Sequence, residues 1–166
     1  MTDDFVIYDP KRFFKVFVQR AFEEYSAAPL DHLRVKTLIS NIDTLAERMW
    51  VWFKDRDPGK IANARSARSY REYLVENECS EFQIVWDMHD GHKHVELSRT
   101  NRRITSAAQS GVKREGDPIG SAPIGAMPIG GTIDSFVIRM DDRTEYELAP
   151  VIEAVIAMWE RVLAAL

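Results

Sequence analysis

One stretch constrains the chain more than any other. Val35, Leu38, Ile42, Leu45, Met49 and Trp52 recur at spacings of 3, 4, 3, 4 and 3. A seam of that period fits an α-helix with one buried face and fits no strand. Ile39, Ala46 and Phe53 widen the seam. So broad an apolar face over so few heptads predicts the core helix of a bundle rather than a coiled coil. Asp31 is placed to cap its start, and Asp57-Pro58-Gly59 to stop it. The rest of the chain must supply helices to cover this face.

Several are legible. Asp9-Pro10 reads as an N-cap followed by proline at the first helical position. Phe14, Phe17, Val18, Ala21, Phe22 and Tyr25 follow at helical spacing, ending before Pro29. A third helix is predicted over Lys60–Asn77, with a thin stripe of Ile61, Ala64, Ala67, Tyr70 and Leu74. A fourth begins near Ser80 and turns Phe82, Val85 and Met88 inward, with Gly91 weakening it near its end. The last starts near Ala149-Pro150 and carries the widest stripe: Val151, Ile152, Val155, Met158, Trp159, Val162, Leu163 and Leu166. A stripe that wide must be covered by the bundle or by a second copy of the chain. Trp50, Trp52, Trp86 and Trp159 all fall on core stripes, which argues against exposed platforms for stacking bases.

Between the fourth and last helices the pattern changes. Thr100–Gly111 is rich in Thr, Ser, Asn and Arg, and Pro-Ile-Gly then occurs three times at a period of five within Asp117–Gly131. Proline and glycine at that density exclude helix and ladder alike. The isoleucines of this long loop are expected to pack on the hairpin, the bundle or a neighbouring chain. Ile133, Phe136 and Ile138, the turn Asp141-Asp142-Arg143, and Tyr146 and Leu148 predict a β-hairpin over Ile133–Leu148. A hairpin alone is marginal, and the segment around Ile104 is the expected third strand. The fold class is therefore mainly α (α+β). It is an antiparallel bundle of about five helices, with a β-hairpin and long Pro/Gly loop before the last helix. One domain is expected over residues 1–166, the bundle being 9–97 and 149–166 and the insertion 98–148.

Charge is uneven along the 166 residues. The net value is −4, made of −1 over residues 1–55, +2 over 56–116 and −5 over 117–166. No acid separates Lys60 from Arg71, and only Glu96 interrupts the basic run from Lys93 to Arg114. Such runs are solvated faces or a surface for an anionic partner such as RNA or another polyanion, for which Arg65, Arg68, Arg71, Lys93, Arg102 and Arg103 are the candidates. Cys79 is the only cysteine. With no disulfide, no apolar run near the N-terminus and none of membrane-spanning length, a cytoplasmic protein without membrane association is expected.

Titratable groups are dense at one place only. Trp86-Asp87-Met88-His89-Asp90-Gly91-His92-Lys93-His94 holds three of the four histidines. On a continuing helix Asp87, Asp90 and His94 share a face, since they stand at i, i+3 and i+7. They could serve as a general acid/base set, an aspartate orienting His94 as catalytic base with Lys93 holding an anion. His89 and His92 with an aspartate are weak candidates for a metal, though no established ligand motif is present. In the structural alternative, Asp87 and Asp90 bond His94 or Lys93 and so tie the fourth helix to the loop that follows it. No Walker loop, G-x-G-x-x-G or G-x-S-x-G occurs, so no cofactor is expected.

The segment Asp87-Met88-His89-Asp90-Gly91-His92-Lys93-His94-Val95-Glu96-Leu97, closing a helix of a small bundle, resembles the Lys-His helix end of HEPN-like bundle proteins of prokaryotes. That family spans metal-independent ribonucleases, toxins and non-catalytic RNA- or partner-binding members, often dimeric. Its active members carry an Arg separated from the His by four to six intervening residues. Asp87, Met88 and His89 stand at those positions here. The resemblance thus implies the bundle and an RNA or partner surface, without the ribonuclease motif. The leading expectation is a non-enzymatic interaction or structural module that self-associates, as a homodimer or higher homo-oligomer. The alternatives are a hydrolase or nuclease using Asp87, Asp90 and His94, an RNA-binding protein, and a metal-binding protein through His89 and His92.

Overall fold

A computed structural model describes residues 9–93, 102–104, 106–116 and 132–166. The Pro-Ile-Gly loop, with the packing expected of its isoleucines, and His94 lie outside the described residues. Those residues form five helices and a three-stranded antiparallel sheet, so the mainly α, α+β reading holds.

Helix α1 covers residues 10–27, as Pro10–Phe13, a π-helical stretch Phe14–Gln19, and Arg20–Ala27. Asp9 caps it, its carboxylate accepting from the Arg12 N–H at 3.1 Å. Helix α2, His32–Phe53, is capped by Asp31, which accepts from the Leu33 and Arg34 N–H groups at 2.9 and 3.0 Å. Its seam is the centre of the core: Val35, Leu38, Ile39, Ile42, Leu45, Ala46 and Met49 are buried. Trp50 and Trp52 are only half-buried, with the Lys54 ammonium and Arg56 guanidinium over their rings at 5.1 and 4.1 Å.

The third helix is shorter than the apolar spacing predicts. Pro58–Ile61 is a 3₁₀ turn, and Ala62 and Asn63 then take left-handed backbone at φ 51° and 56°. A helix cannot pass through two such residues. It restarts at Ser66, whose hydroxyl accepts from the Ser69 N–H at 3.0 Å while Ser69 Oγ accepts from the Ser66 N–H at 2.9 Å. This reciprocal cap begins α3, residues 67–78, made of Ala67–Tyr73 and a π-helical Leu74–Glu78. Helix α4 is Phe82–Lys93 and runs through Gly91 without a break.

The sheet is β1 (Ser110–Gly116), β2 (Thr132–Arg139) and β3 (Glu145–Glu147), with β2 central. The hairpin and its Asp141–Arg143 turn stand where expected. The third strand does not: it is β1, paired from Ser110↔Ile138 to Gly116↔Thr132, while Ile104 is a buried anchor outside any strand. Phe136 and Ile138 turn into the core, beside α5 and the His32 ring. Helix α5, Leu148–Ala164, closes the bundle. Val151, Ile152, Val155, Ile156, Met158, Trp159 and Leu163 are buried within the chain. The stripe that pointed to self-association is thus occupied by the chain's own core. No described helix is long and apolar enough to cross a membrane.

Trp159 is fully buried and meets Phe82 edge-on at 6.0 Å, its indole N–H without a hydrogen-bond partner among the described residues. Trp159→Ala is expected to cost about 3–5 kcal/mol in urea unfolding. Trp159→Phe should cost less than half of that, because it keeps an aromatic edge on Phe82 and removes an unsatisfied donor.

Candidate functional site

Two charged clusters organise the inner side of α4. The first joins α2, α3 and α4. Asp43 lies on the buried face of α2 between Ile39 and Ala46, and Arg71 on α3 between Ala67 and Leu74. Arg71 donates from Nε to Asp43 Oδ1 and from Nη2 to Oδ2, each at 2.8 Å. The planar guanidinium matches the carboxylate fork, which a lysine could not do. His89 of α4 brings Nε2 to 3.5 Å from the same Oδ2, and Glu47 stands 3.9 Å from Arg71 Nη2. Burial alone lowers the Arg71 pKa, but the hydrogen bond and charge of Asp43, helped by Glu47 and Asp90, reverse this and raise it.

The Asp43–His89 pair has the composition of a catalytic dyad but not its setting. His89 and Asp43 are both buried, and the Asp43 carboxylate is already neutralised by Arg71. Both side chains lie in the interior, packed among α2, α3 and α4.

The second cluster ties the insertion to the bundle. Asp87 is fully buried. Gln83 Nε2 donates to its Oδ1 at 2.8 Å, and the backbone N–H of Arg103 to its Oδ2 at 2.8 Å, with that of Ile104 at 3.4 Å. Burial raises the Asp87 pKa, against the opposing pull of the Arg103 N–H, Gln83, the Ile104 N–H and the Arg102 charge. One turn on, Asp90 Oδ2 accepts from Arg102 Nη2 at 3.1 Å. Asp87 and Asp90 therefore fasten α4 to the segment after it, through Arg102, Arg103 and Ile104.

The other expected site residues scatter. Arg65 is exposed. Arg68 is exposed and paired with Glu72 at 3.0 Å. Arg71, expected on an anion-facing surface, is instead inside the bundle. Arg102, also expected there, is sunk beside Asp90, its side chain 6% exposed. Arg103 is exposed, and its carbonyl accepts from the Asp141 N–H at 2.9 Å. Lys93 ends α4, and its side chain lies outside the described residues, as does His94. His89 and His92 do not converge on a metal: among the described residues no group of three His, Cys, Asp or Glu side chains is arranged to hold one. His92 has its Nδ1 buried without a partner among the described residues, and burial, then the charges of Lys36 and His89, lower its pKa.

Beside these clusters a cleft of about 150 Å³ lies between α3 and α4. Arg68, Glu72 and Glu76 line it from α3, Gln83 and Trp86 from α4, and Arg102 closes it. Asp43 and Gln83 were not singled out from the sequence. For Asp43 a signal exists: an acid flanked at i−4 and i+3 by core residues of the same seam.

Removing one member of the buried pair, as in Asp43→Asn or Arg71→Met, is expected to cost about 3–5 kcal/mol. The double variant Asp43→Leu/Arg71→Met should recover most of that, and a strictly additive loss in a double-mutant cycle would show that the two do not interact. For His92, the folded chain takes up its proton at lower pH than the unfolded chain. Stability present above about pH 6.5 is therefore lost as pH falls toward the lowered folded value. His92→Gln should flatten the fall in urea midpoint between about pH 7 and 5; equal slopes in variant and wild type would rule out that contribution.

No family model matches the chain, and no curated protein or solved structure is significantly similar to it.

Proposed function

We propose that the chain is a non-enzymatic binding module, a helical bundle that uses its charged clusters for architecture and the small cleft between α3 and α4 for recognition. The observation that carries this reading is the state of Asp87. A catalytic carboxylate needs an oxygen free for a substrate proton or a water. Both Asp87 oxygens are spent inside the fold, on Gln83 Nε2 and on two backbone N–H groups. Asp90 is bonded to Arg102 and so belongs to the same fastening. A hydrolase built on Asp87, Asp90 and His94 would have to break the attachment of the insertion in order to work. The polyanion reading also loses support, since Arg71 and Arg102, two of its six candidate residues, are withdrawn from the surface. A role as a partner-binding bundle agrees with the non-catalytic side of the HEPN-like resemblance.

The test is a turnover assay on the intact protein with single-stranded RNA and a simple carboxylic ester. Both are expected to react at the buffer rate. Asp87→Ala should unfold at lower urea, by about 2–4 kcal/mol, since it strands buried N–H groups. RNA cleavage that co-purifies with the protein, and disappears in Asp90→Asn or His94→Ala while the fold stays intact, would replace this reading with a nuclease.

A further inference from the structure

Arg102, at the cleft between α3 and α4, has more buried donors than hydrogen-bond partners among the described residues. Arg102 is always charged and carries five donors. Its side chain is more than nine-tenths buried and lines the cleft. One Nη2 hydrogen goes to Asp90, but Nε and Nη1 are buried with no hydrogen-bond partner among the described residues. Buried guanidinium donors left without acceptors cost free energy, so a site that keeps them is suited to an incoming acceptor. A carboxylate is the planar anion a guanidinium fits best.

The charges around it narrow the ligand. Arg68 and Arg102 are balanced by Glu72 and Glu76, and Asp90 behind Arg102 makes the set net negative. A phosphate dianion would add charge of the wrong sign beside two glutamates. A ligand that brings its own cation adds none, and Glu72 and Glu76, one turn apart on α3 and both exposed, offer oxygens for it. Arg68 occupies only Oε1 of Glu72. The volume of about 150 Å³ is below the range of drug-sized ligands and suits one small molecule. Trp86 gives the wall an apolar surface for a short side chain.

We propose that this cleft binds a free α-amino acid as its zwitterion, with Arg102 taking the carboxylate and Glu72 and Glu76 the ammonium. The inference rests on the reading of the chain as a binding module and names the class of ligand. Arg102 is on this account a binding residue, and Asp90 a positioning residue that holds it.

The experiment is calorimetric titration and thermal melting of the full chain with L-alanine, L-leucine, acetate, ethylammonium and inorganic phosphate, each to millimolar concentration. The expected result is saturable stabilisation by the two amino acids, weaker response to acetate and ethylammonium, and none to phosphate. Arg102→Lys should weaken the amino acids by about tenfold or more, since the ammonium cannot replace Nε. Glu76→Gln, on an exposed helix position, should weaken the amino acids and leave the acetate response unchanged. Absence of any amino-acid response, or equal binding by wild type and Arg102→Lys, would overturn the proposal. Phosphate or acetate binding as tight as the amino acids would do so too, in favour of a general anion site. Chemical conversion of the bound amino acid would leave the site standing and overturn the non-enzymatic reading instead, so the two failures are distinguishable.

Discussion

A carboxylate inside a bundle needs a partner in a fixed place, and Asp43 is such a carboxylate. Its side chain is 3% exposed and its two bonds to Arg71 are both 2.8 Å. Apolar seams alone tolerate sliding, because one methylene packs much like the next. A buried bidentate pair does not, because a shift of one residue separates charges that water cannot reach. The pair therefore sets the height of α3 against α2. His89, 3.5 Å from the same oxygen, extends the constraint to α4.

Asp87 applies the same physics to the insertion. The chain leaves α4, and Asp87 gathers it back by accepting from the Arg103 and Ile104 N–H groups. Ile104 drops into the core, and the Arg103 carbonyl accepts from Asp141 in the turn between β2 and β3. One acid thus connects helix, returning segment and sheet. This is costly for the carboxylate, whose pKa burial raises despite four favourable contacts. A group tolerated at that cost is more readily explained by what it holds together than by chemistry, for which it has no free oxygen.

Helices α1 and α2 were legible because each announces itself twice, by a cap and by a stripe: Asp9 and Asp31 both cap, and most of each stripe is buried. The third helix misled because Ile61 and Ala64 continue its spacing through a segment whose backbone turns left-handed at Ala62 and Asn63, neither a glycine. Strand β1 was missed for a related reason. Ser110–Gly116 has one apolar side chain, Val112, and that one is exposed, so no alternation signals it. Its pairing is decided by β2, far off in sequence. The site was half legible. Density of charge marked residues 86–94, but the partners of Asp87 and Asp90 come from a segment whose path only tertiary structure fixes. Arg102 was noticed as one charge in a run, whereas its burial is what distinguishes it.

The uneven charge of the chain takes a different meaning once the sheet is formed. The basic middle and the acidic C-terminal third meet across the strands. Arg114 of β1 stands directly opposite Asp134 of β2, with Nε 3.4 Å from Oδ2. Lys113 reaches Glu145 at 2.7 Å, and Arg139 reaches the same glutamate at 2.7 Å. The Lys113 hydrogen bond, then that of Arg139, holds the Glu145 carboxyl below its ordinary pKa. Cross-strand pairs of opposite charge favour one register and penalise its neighbours, where like charges would face each other. With Arg71 and Arg102 paired in the interior and Lys113 and Arg114 in the sheet, four cations of the basic middle serve the fold. Opposite charge along the sequence therefore helps to set the register of β1, a strand with one apolar residue to guide it.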